Sequence, residues 1–234
     1  DDTGWTSARQ RTGALYFGRD PDRENIVEFQ EKSPFDYAAS TKIIIINDVN
    51  KNDLKQVTAA FKTLFAASGG GAMGLFTSIQ RLQAVHQSLR PGLEDLNIPL
   101  YAQHVDPVDP GTLVDIFREE KHACLLGTDA MRDGVDVPGE ALRLIVFDRV
   151  PWPRPTILHK ARRNAFGGRS YDEMITRLKL KQAFGRLVRQ ENDKGVFVML
   201  DSGLPTRLQT AFPEGVDVQK MGLSDTVKEL SGFV

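Results

Sequence analysis

The chain has a single cysteine, Cys124, in 234 residues. That excludes an internal disulfide and any multi-cysteine zinc or iron–sulfur site made by this chain alone. Cys124 lies in the apolar run 123–126, which predicts a buried structural thiol rather than a nucleophile. No apolar run approaches the roughly 20 residues of a membrane span, and no signal-peptide pattern opens the chain. The expectation is a soluble, cytoplasmic protein with no membrane partner. No Gly-Lys pair occurs, so the G-x-x-x-x-G-K-[ST] loop that cradles nucleotide phosphates is absent. Neither an Asp-Glu-x-His nor an Asp-Glu-x-Asp stretch is present to hold magnesium. This chain cannot assemble that phosphate site alone.

What is present suits an ordinary globular protein, with 41% apolar and 26% charged residues. The length allows one large domain, or one domain with an appended subdomain. The net charge of −1 is unevenly spread. Residues 151–194 carry eleven Lys or Arg against four acids, a local excess of seven positive charges. One concentrated basic tract in a near-neutral chain points to a local anionic partner.

Residues 1–42 have scattered aromatics and no sustained periodicity, and read as a connecting segment packing on the main body. Regular structure begins with the run Ile43-Ile44-Ile45-Ile46, which suits a strand covered on both faces. Helical spacing over 54–65 stops at Gly69-Gly70-Gly71. A strand at 72–76 is followed by a helix with Leu82, Val85, His86 and Leu89 inward, opened by a Thr77/Gln80 capping box. Further strands are predicted near 100–102, 123–127, 142–150 and 196–200. Helices are predicted at 112–121, 156–166, 171–190 (capped by Ser170 and Glu173) and 204–212. Residues 215–234 read as a weakly patterned tail after a main domain of 43–214. The alternation predicts a doubly wound α/β fold, a mostly parallel sheet with helices on both faces and ligands at the carboxyl ends of its strands.

Three stretches hold candidate chemistry. In the predicted 171–190 helix, Gln182, Arg186 and Arg189 share one face, beside a Gly185 whose helical cost of about 1 kcal/mol suggests close approach of a helix or ligand. Two guanidinium forks there suit a polyanion such as a nucleotide triphosphate, and a solvated basic face is the plain alternative. In Leu75-Phe76-Thr77-Ser78, hydroxyls and backbone N–H groups meet at a helix start, an anion site or two ordinary capping residues. The loop 127–139 carries Asp129, Asp133 and Asp136, with Gly134 between the last two. It reads as a solvated turn or a carboxylate cluster for a hard cation, although its spacing does not match a twelve-residue calcium loop. Together the three suggest one cleft lined by hydroxyls, carboxylates and two arginines.

These stretches resemble the motifs of a helicase family. Gln182-Ala-Phe-Gly185-Arg186-Leu-Val-Arg189 resembles motif VI, Q-x-x-G-R-x-x-R. Arg132-Asp133-Gly134-Val135-Asp136 resembles motif V, and Leu75-Phe76-Thr77-Ser78 with Arg81-Leu82 resembles motif IV. Ser33-Pro34-Phe35-Asp36-Tyr37 and the strand-plus-proline segment 142–155 are similar to segments of the DinG and XPD group of superfamily 2 DNA helicases. The resemblance runs in order from Ser33 to Asp201. It departs from the family pattern at Asp133, where relatives often have glutamate, at Phe184 within motif VI, and in the short connection between motifs V and VI.

The resemblance implies a second RecA-like motor domain, related to P-loop NTPases, from a longer ATP-dependent DNA helicase. ATP and Mg²⁺ would be held mainly by a first motor domain elsewhere in that protein, together with any iron–sulfur cluster. It implies Arg186 and Arg189 as groups reaching the triphosphate, at least one as an arginine finger, with Gln182 orienting nucleotide or water. Gly134, Asp136 and Asp133, with Gly185, would belong to the nucleotide-coupled site. Thr77, Ser78, Arg81 and Thr128 would contact single-stranded or forked DNA, and Trp152 would stack on a base or anchor its loop. A nucleic-acid-binding module without ATPase coupling and a magnesium-dependent doubly wound enzyme are the alternatives.

Overall fold

The computed structural model describes residues 8, 9, 12–14, 29, 31, 33–128, 131, 137 and 139–234. The chain divides into two compact units, Asp1–Pro34 and Phe35–Val234. In the first, Thr12 Oγ1 donates to the Ala8 carbonyl at 2.8 Å, a bond of helical spacing.

In the second unit the strands are β1 (Thr41–Ile46), β2 (Ala72–Phe76), β3 (Leu100–Ala102), β4 (Cys124–Thr128), β5 (Leu144–Phe147), β6 (Gly195–Met199) and β7 (Val218–Met221). The helices are α1 (Tyr37–Ser40), α2 (Leu54–Ala67), α3 (Ile79–Glu94), α4 (Pro110–Glu119), α5 (Ile157–Ala165), α6 (Arg169–Phe184) and α7 (Leu223–Ser231). The strands form one sheet in the order β3-β4-β2-β5-β6-β1-β7, and every pairing is parallel. This is the doubly wound architecture expected from the alternation.

The isoleucine run shows how the layers are made. Side chains alternate along a strand, so Ile43 and Ile45 join one core with α4 and the end of α6, while Ile44 and Ile46 join the other with α2, α3 and α7. Both faces are covered, which is why β1 reads as an uninterrupted apolar run. Asp53, Ser78, Asp109 and Thr156 cap α2, α3, α4 and α5 by accepting from first-turn N–H groups. The turn from α2 into β2 needs its glycines: Gly69, Gly70 and Gly71 have φ of 64°, 79° and 57°. A Cβ on Gly70 would lie 1.9 Å from the His122 carbonyl oxygen.

Several expectations are corrected. The 171–190 helix ends at Phe184, because Gly185 is its C-cap. The cap of α3 is Ser78 rather than Thr77. Ser170 and Glu173 make no capping box: the N-cap of α6 is Gly168, with no side-chain cap, Ser170 Oγ donates to the Gly167 carbonyl, and Glu173 is taken by arginines. The helix near 204–212 is a 3-10 helix, Thr206–Ala211. Residues 218–231 form an edge strand and a helix of the main unit, not a tail. A four-residue strand with three half-buried residues and an exposed Lys220 carries too little periodicity to announce itself.

Candidate functional site

Among the described residues the expected ones fall at two ends of the sheet: Thr77, Ser78, Arg81, Thr128 and Trp152 lie at or after the carboxyl ends of strands, and Gln182, Arg186 and Arg189 precede β6 at the amino end. The loop after β2 carries Thr77 and Ser78, both half-buried. Arg81, one turn into α3, sends Nε and Nη2 to the two Asp148 oxygens at 2.8 and 2.6 Å. Nη2 also donates to the Lys51 carbonyl at 2.9 Å. Asp148 is fully buried, and its hydrogen bond is the main reason that the Arg81 guanidinium titrates above its ordinary range. A guanidinium so committed fixes loops to one another. Lys51 Nζ bonds Asp201 Oδ1 at 2.6 Å, and Asp201 also accepts from the N–H groups of Val150 and Gly203. Thus the loops after β1, β2, β5 and β6 are tied by two carboxylates that close strand ends. The sequence pattern gave Asp148 no role, although an aspartate directly after the strand Leu-Ile-Val-Phe was the available signal.

Thr128, at the end of β4, is nearly buried and donates both N–H and Oγ1 to Gln103 Oε1 at 2.9 Å. Trp152 is 39% exposed in the proline-rich loop after β5, held by its N–H on the Val150 carbonyl. In the same loop Arg154 Nη2 donates to the Thr77 carbonyl at 2.6 Å, so Trp152 and Thr77 belong to one surface at the carboxyl edge.

The arginine segment lies at the amino edge, where α6 hands the chain to β6. The strand between the edges spans about 16 Å, five residues at about 3.3 Å each. Gln182 is exposed in the last turn of α6. Gly185 has helical φ and ψ of −64° and −1°, and donates to the Lys181 carbonyl at 2.9 Å. A Cβ there would meet only the Lys181 and Gln182 carbonyl oxygens, at 3.3 and 3.7 Å. Among the described residues no other element comes within 4 Å of that position, and Gly185 is the C-cap of α6. Arg186 and Arg189 therefore do not share a helix face with Gln182. They sit in successive turns, half-buried and exposed, separated by Leu187 and Val188, which are buried in the core. Asp193 Oδ2 accepts the N–H groups of Arg189 and Gln190, both at 2.8 Å, and so fixes the turn. Sequence reading missed this aspartate.

Asp133, Gly134 and Asp136, with Arg132 and Asp129, lie outside the described residues. Met131 and Val137 on either side are buried in the core shared with α4 and α6. Among the described residues no group of three His, Cys, Asp or Glu could hold a metal ion, and no helix is long and apolar enough to cross a membrane.

The seven-stranded, all-parallel doubly wound sheet is a RecA-like fold. The Helicase C-terminal domain family matches residues 61–220, and the chain belongs to that family. It is 37% identical over 150 residues to the ATP-dependent helicase DinG of Mycobacterium tuberculosis, covering 61% of this chain and 22% of that protein. It is 32% identical over 191 residues to the 3'-5' exonuclease DinG of Bacillus subtilis, covering 75% of this chain and 20% of that protein. The chain thus spans about a fifth of the length of these relatives. Among solved structures, an XPD helicase superposes with a TM-score of 0.57 at 19% identity, over 78% of this chain and 35% of the other. Yeast Dbp5 bound to RNA and ADP BeF3 does so with a TM-score of 0.61 at 14% identity, over 94% and 52%. At such identities the structural likeness concerns the fold. With the family match, the chain is a helicase C-terminal domain of RecA-like fold, similar in sequence to the corresponding part of DinG proteins.

Proposed function

We propose that this chain is the second motor half of a DinG-like ATP-dependent DNA helicase, contributing motifs IV, V and VI to an ATP site shared with a first motor domain of the full-length protein. The observation that carries this reading is the separation of the candidates onto two edges of one sheet. The amino edge offers the guanidiniums of Arg186 and Arg189 in a turn fixed by Asp193. The carboxyl edge offers Thr77, Ser78 and the exposed Trp152. A motor needs two such surfaces, one sensing nucleotide and one gripping the strand.

The donor set here fits only part of a nucleotide site: planar cationic forks are present and the phosphate-cradling loop is not. When bound, ATP with its Mg²⁺ supplies the phosphoryl transfer that drives the cycle. Arg186 and Arg189 neutralise developing phosphate charge, at least one as an arginine finger, a role worth about 10³–10⁵ in turnover in other NTPases. Gln182 orients nucleotide or water from the end of α6. Asp133, Gly134 and Asp136, between the anchored Met131 and Val137, couple nucleotide and strand surfaces. Ser78 and Thr77 hold phosphates of single-stranded or forked DNA and Trp152 stacks on a base. Arg81 and Thr128 act indirectly, by holding Asp148 and Gln103.

The test is DNA-stimulated ATP turnover of the full-length protein carrying Arg186→Lys or Arg189→Lys, with thermal melting as control. Lysine keeps the charge but not the two-pronged geometry, so turnover falls by orders of magnitude at an unchanged melting temperature. Wild-type turnover in both variants would sink the arginine assignment. The 234-residue chain alone is expected to hydrolyse no appreciable ATP, and robust turnover by it would overturn the shared-site reading.

A further inference from the structure

The basic tract is organised by two adjacent acids on α6. Asp172 accepts from His159 Nε2 at 2.8 Å and from Arg163 Nε at 2.7 Å, both on α5. Glu173, nearly buried, receives Arg169 Nε at 3.0 Å and Arg207 Nε at 2.6 Å on Oε1. Arg177 Nη2 lies 3.6 Å from Oε2, and Arg177 Nε donates to the Arg207 carbonyl at 3.3 Å. Hydrogen bonding from Arg207 is the largest cause holding the Glu173 carboxyl below its ordinary range, so it is ionised at neutral pH.

Among the described residues, three guanidiniums on one carboxylate leave an excess of two positive charges in the cluster. A clip between α6 and the Thr206–Ala211 helix needs only the Arg207–Glu173 pair. Gathering two more arginines brings like charges together, which is repulsive unless another anion joins them. Arg169 and Arg207 each meet Glu173 through Nε, and Arg169 is 73% exposed, so a guanidinium edge is presented to solvent. A guanidinium edge is suited to bidentate contact with phosphate. Arg207 follows β6, Trp152 and Arg154 follow β5, and Thr77 follows β2. These three strands are neighbours in the sheet, so the segments that carry these residues leave it from one edge.

We propose that Arg169, Arg177 and Arg207, positioned by Glu173, form a binding site for phosphodiester groups of a single nucleic-acid strand, extending the track of Thr77 and Trp152. The proposal rests on the nucleic-acid reading above. Its test is binding of a labelled 20-residue oligothymidylate to the 234-residue chain, by anisotropy across a salt series. Variants are Arg169→Ala, Arg169→Lys and Glu173→Gln, with Arg90→Ala as control, an exposed arginine near the end of α3 paired with Glu94. Arg169→Ala is expected to weaken binding about three- to tenfold at low salt and to flatten the log–log salt slope by about 0.7, one phosphate's worth for single strands. Arg169→Lys recovers the slope and part of the affinity, and Arg90→Ala changes neither. Glu173→Gln removes a negative charge yet weakens binding, because the forks lose their alignment. Salt-dependent binding by wild type with Arg169→Ala indistinguishable from it would overturn this site alone. Tighter binding by Glu173→Gln would overturn the positioning role. Loss of inorganic tripolyphosphate binding by Arg169→Ala, with oligonucleotide binding intact, would make this a free-phosphate site instead. No salt-dependent binding by wild type would overturn both the site and the nucleic-acid reading.

Discussion

Asp148 is fully buried and satisfies Arg81 with both oxygens, while Arg81 in turn holds the Lys51 carbonyl. Asp148→Asn would leave a half-buried guanidinium without its counter-charge. The expected cost is about 2–3 kcal/mol, below that of a fully buried pair because Arg81 keeps some solvent contact. In a chain of this size it would lower the melting temperature by roughly 5–10 °C; a shift under about 2 °C would contradict the structural role. His86 gives a pH signature. Its Nε2 is buried without a hydrogen-bond partner among the described residues, and desolvation lowers its pKa below the usual 6.5, against opposing and smaller effects from Asp106 and Glu94. A folded-state pKa below the unfolded one means that the unfolded chain binds the proton more readily. Stability is full above about pH 6.5 and is lost as pH falls from there toward the lowered value. Urea midpoints between pH 8 and 5 should show that loss in wild type and a reduced one in His86→Leu; identical profiles would contradict it. Residue identities were legible where chemistry is local. The Cys124 thiol is buried, and burial pushes its pKa up as an inert core cysteine requires. The partners of Asp148 were not legible, since they lie 67 and more residues away in the chain.

At the scale of elements, the α2–β2 turn makes the sharpest prediction. Gly70→Ala must place a Cβ at positive φ, which costs about 1–2 kcal/mol by itself, and against a carbonyl oxygen 1.9 Å away. Destabilisation of at least about 2 kcal/mol is expected, read from chemical denaturation, and a neutral effect would show that the turn is built otherwise. Glycine triplets, β-branched runs and amphipathic spacing made β1, β2, α2 and α3 readable, because each reflects contacts made within a few residues. The end of α6 was not readable. Arg186, Leu187, Val188 and Arg189 continue an acceptable helical pattern, and beyond the Gly185 cap it is the packing of Leu187 against Gly195 and the grip of Asp193 on two N–H groups that turn the chain aside. That the described candidates occupy two edges, Thr77, Ser78 and Trp152 on one and Gln182, Arg186 and Arg189 on the other, follows from strand order, which no local pattern carries.

For the whole molecule, β7 and α7 complete the second unit: β7 pairs with β1, and α7 buries Leu230 in the core shared with α2. A chain ending at residue 214 is expected to lose cooperative melting and to elute as aggregate in size-exclusion chromatography. A monodisperse product melting within a few degrees of wild type would refute that. The same strand order sets a schedule for synthesis. β1 leaves the ribosome first, yet its neighbours β6 and β7 start about 150 and 170 residues later. At about 5–20 residues per second, four consecutive isoleucines wait on the order of ten to thirty seconds for partners. A nascent chain of this design is a natural client for a chaperone that shields extended apolar segments, and its yield would depend on how fast translation reaches its last strand.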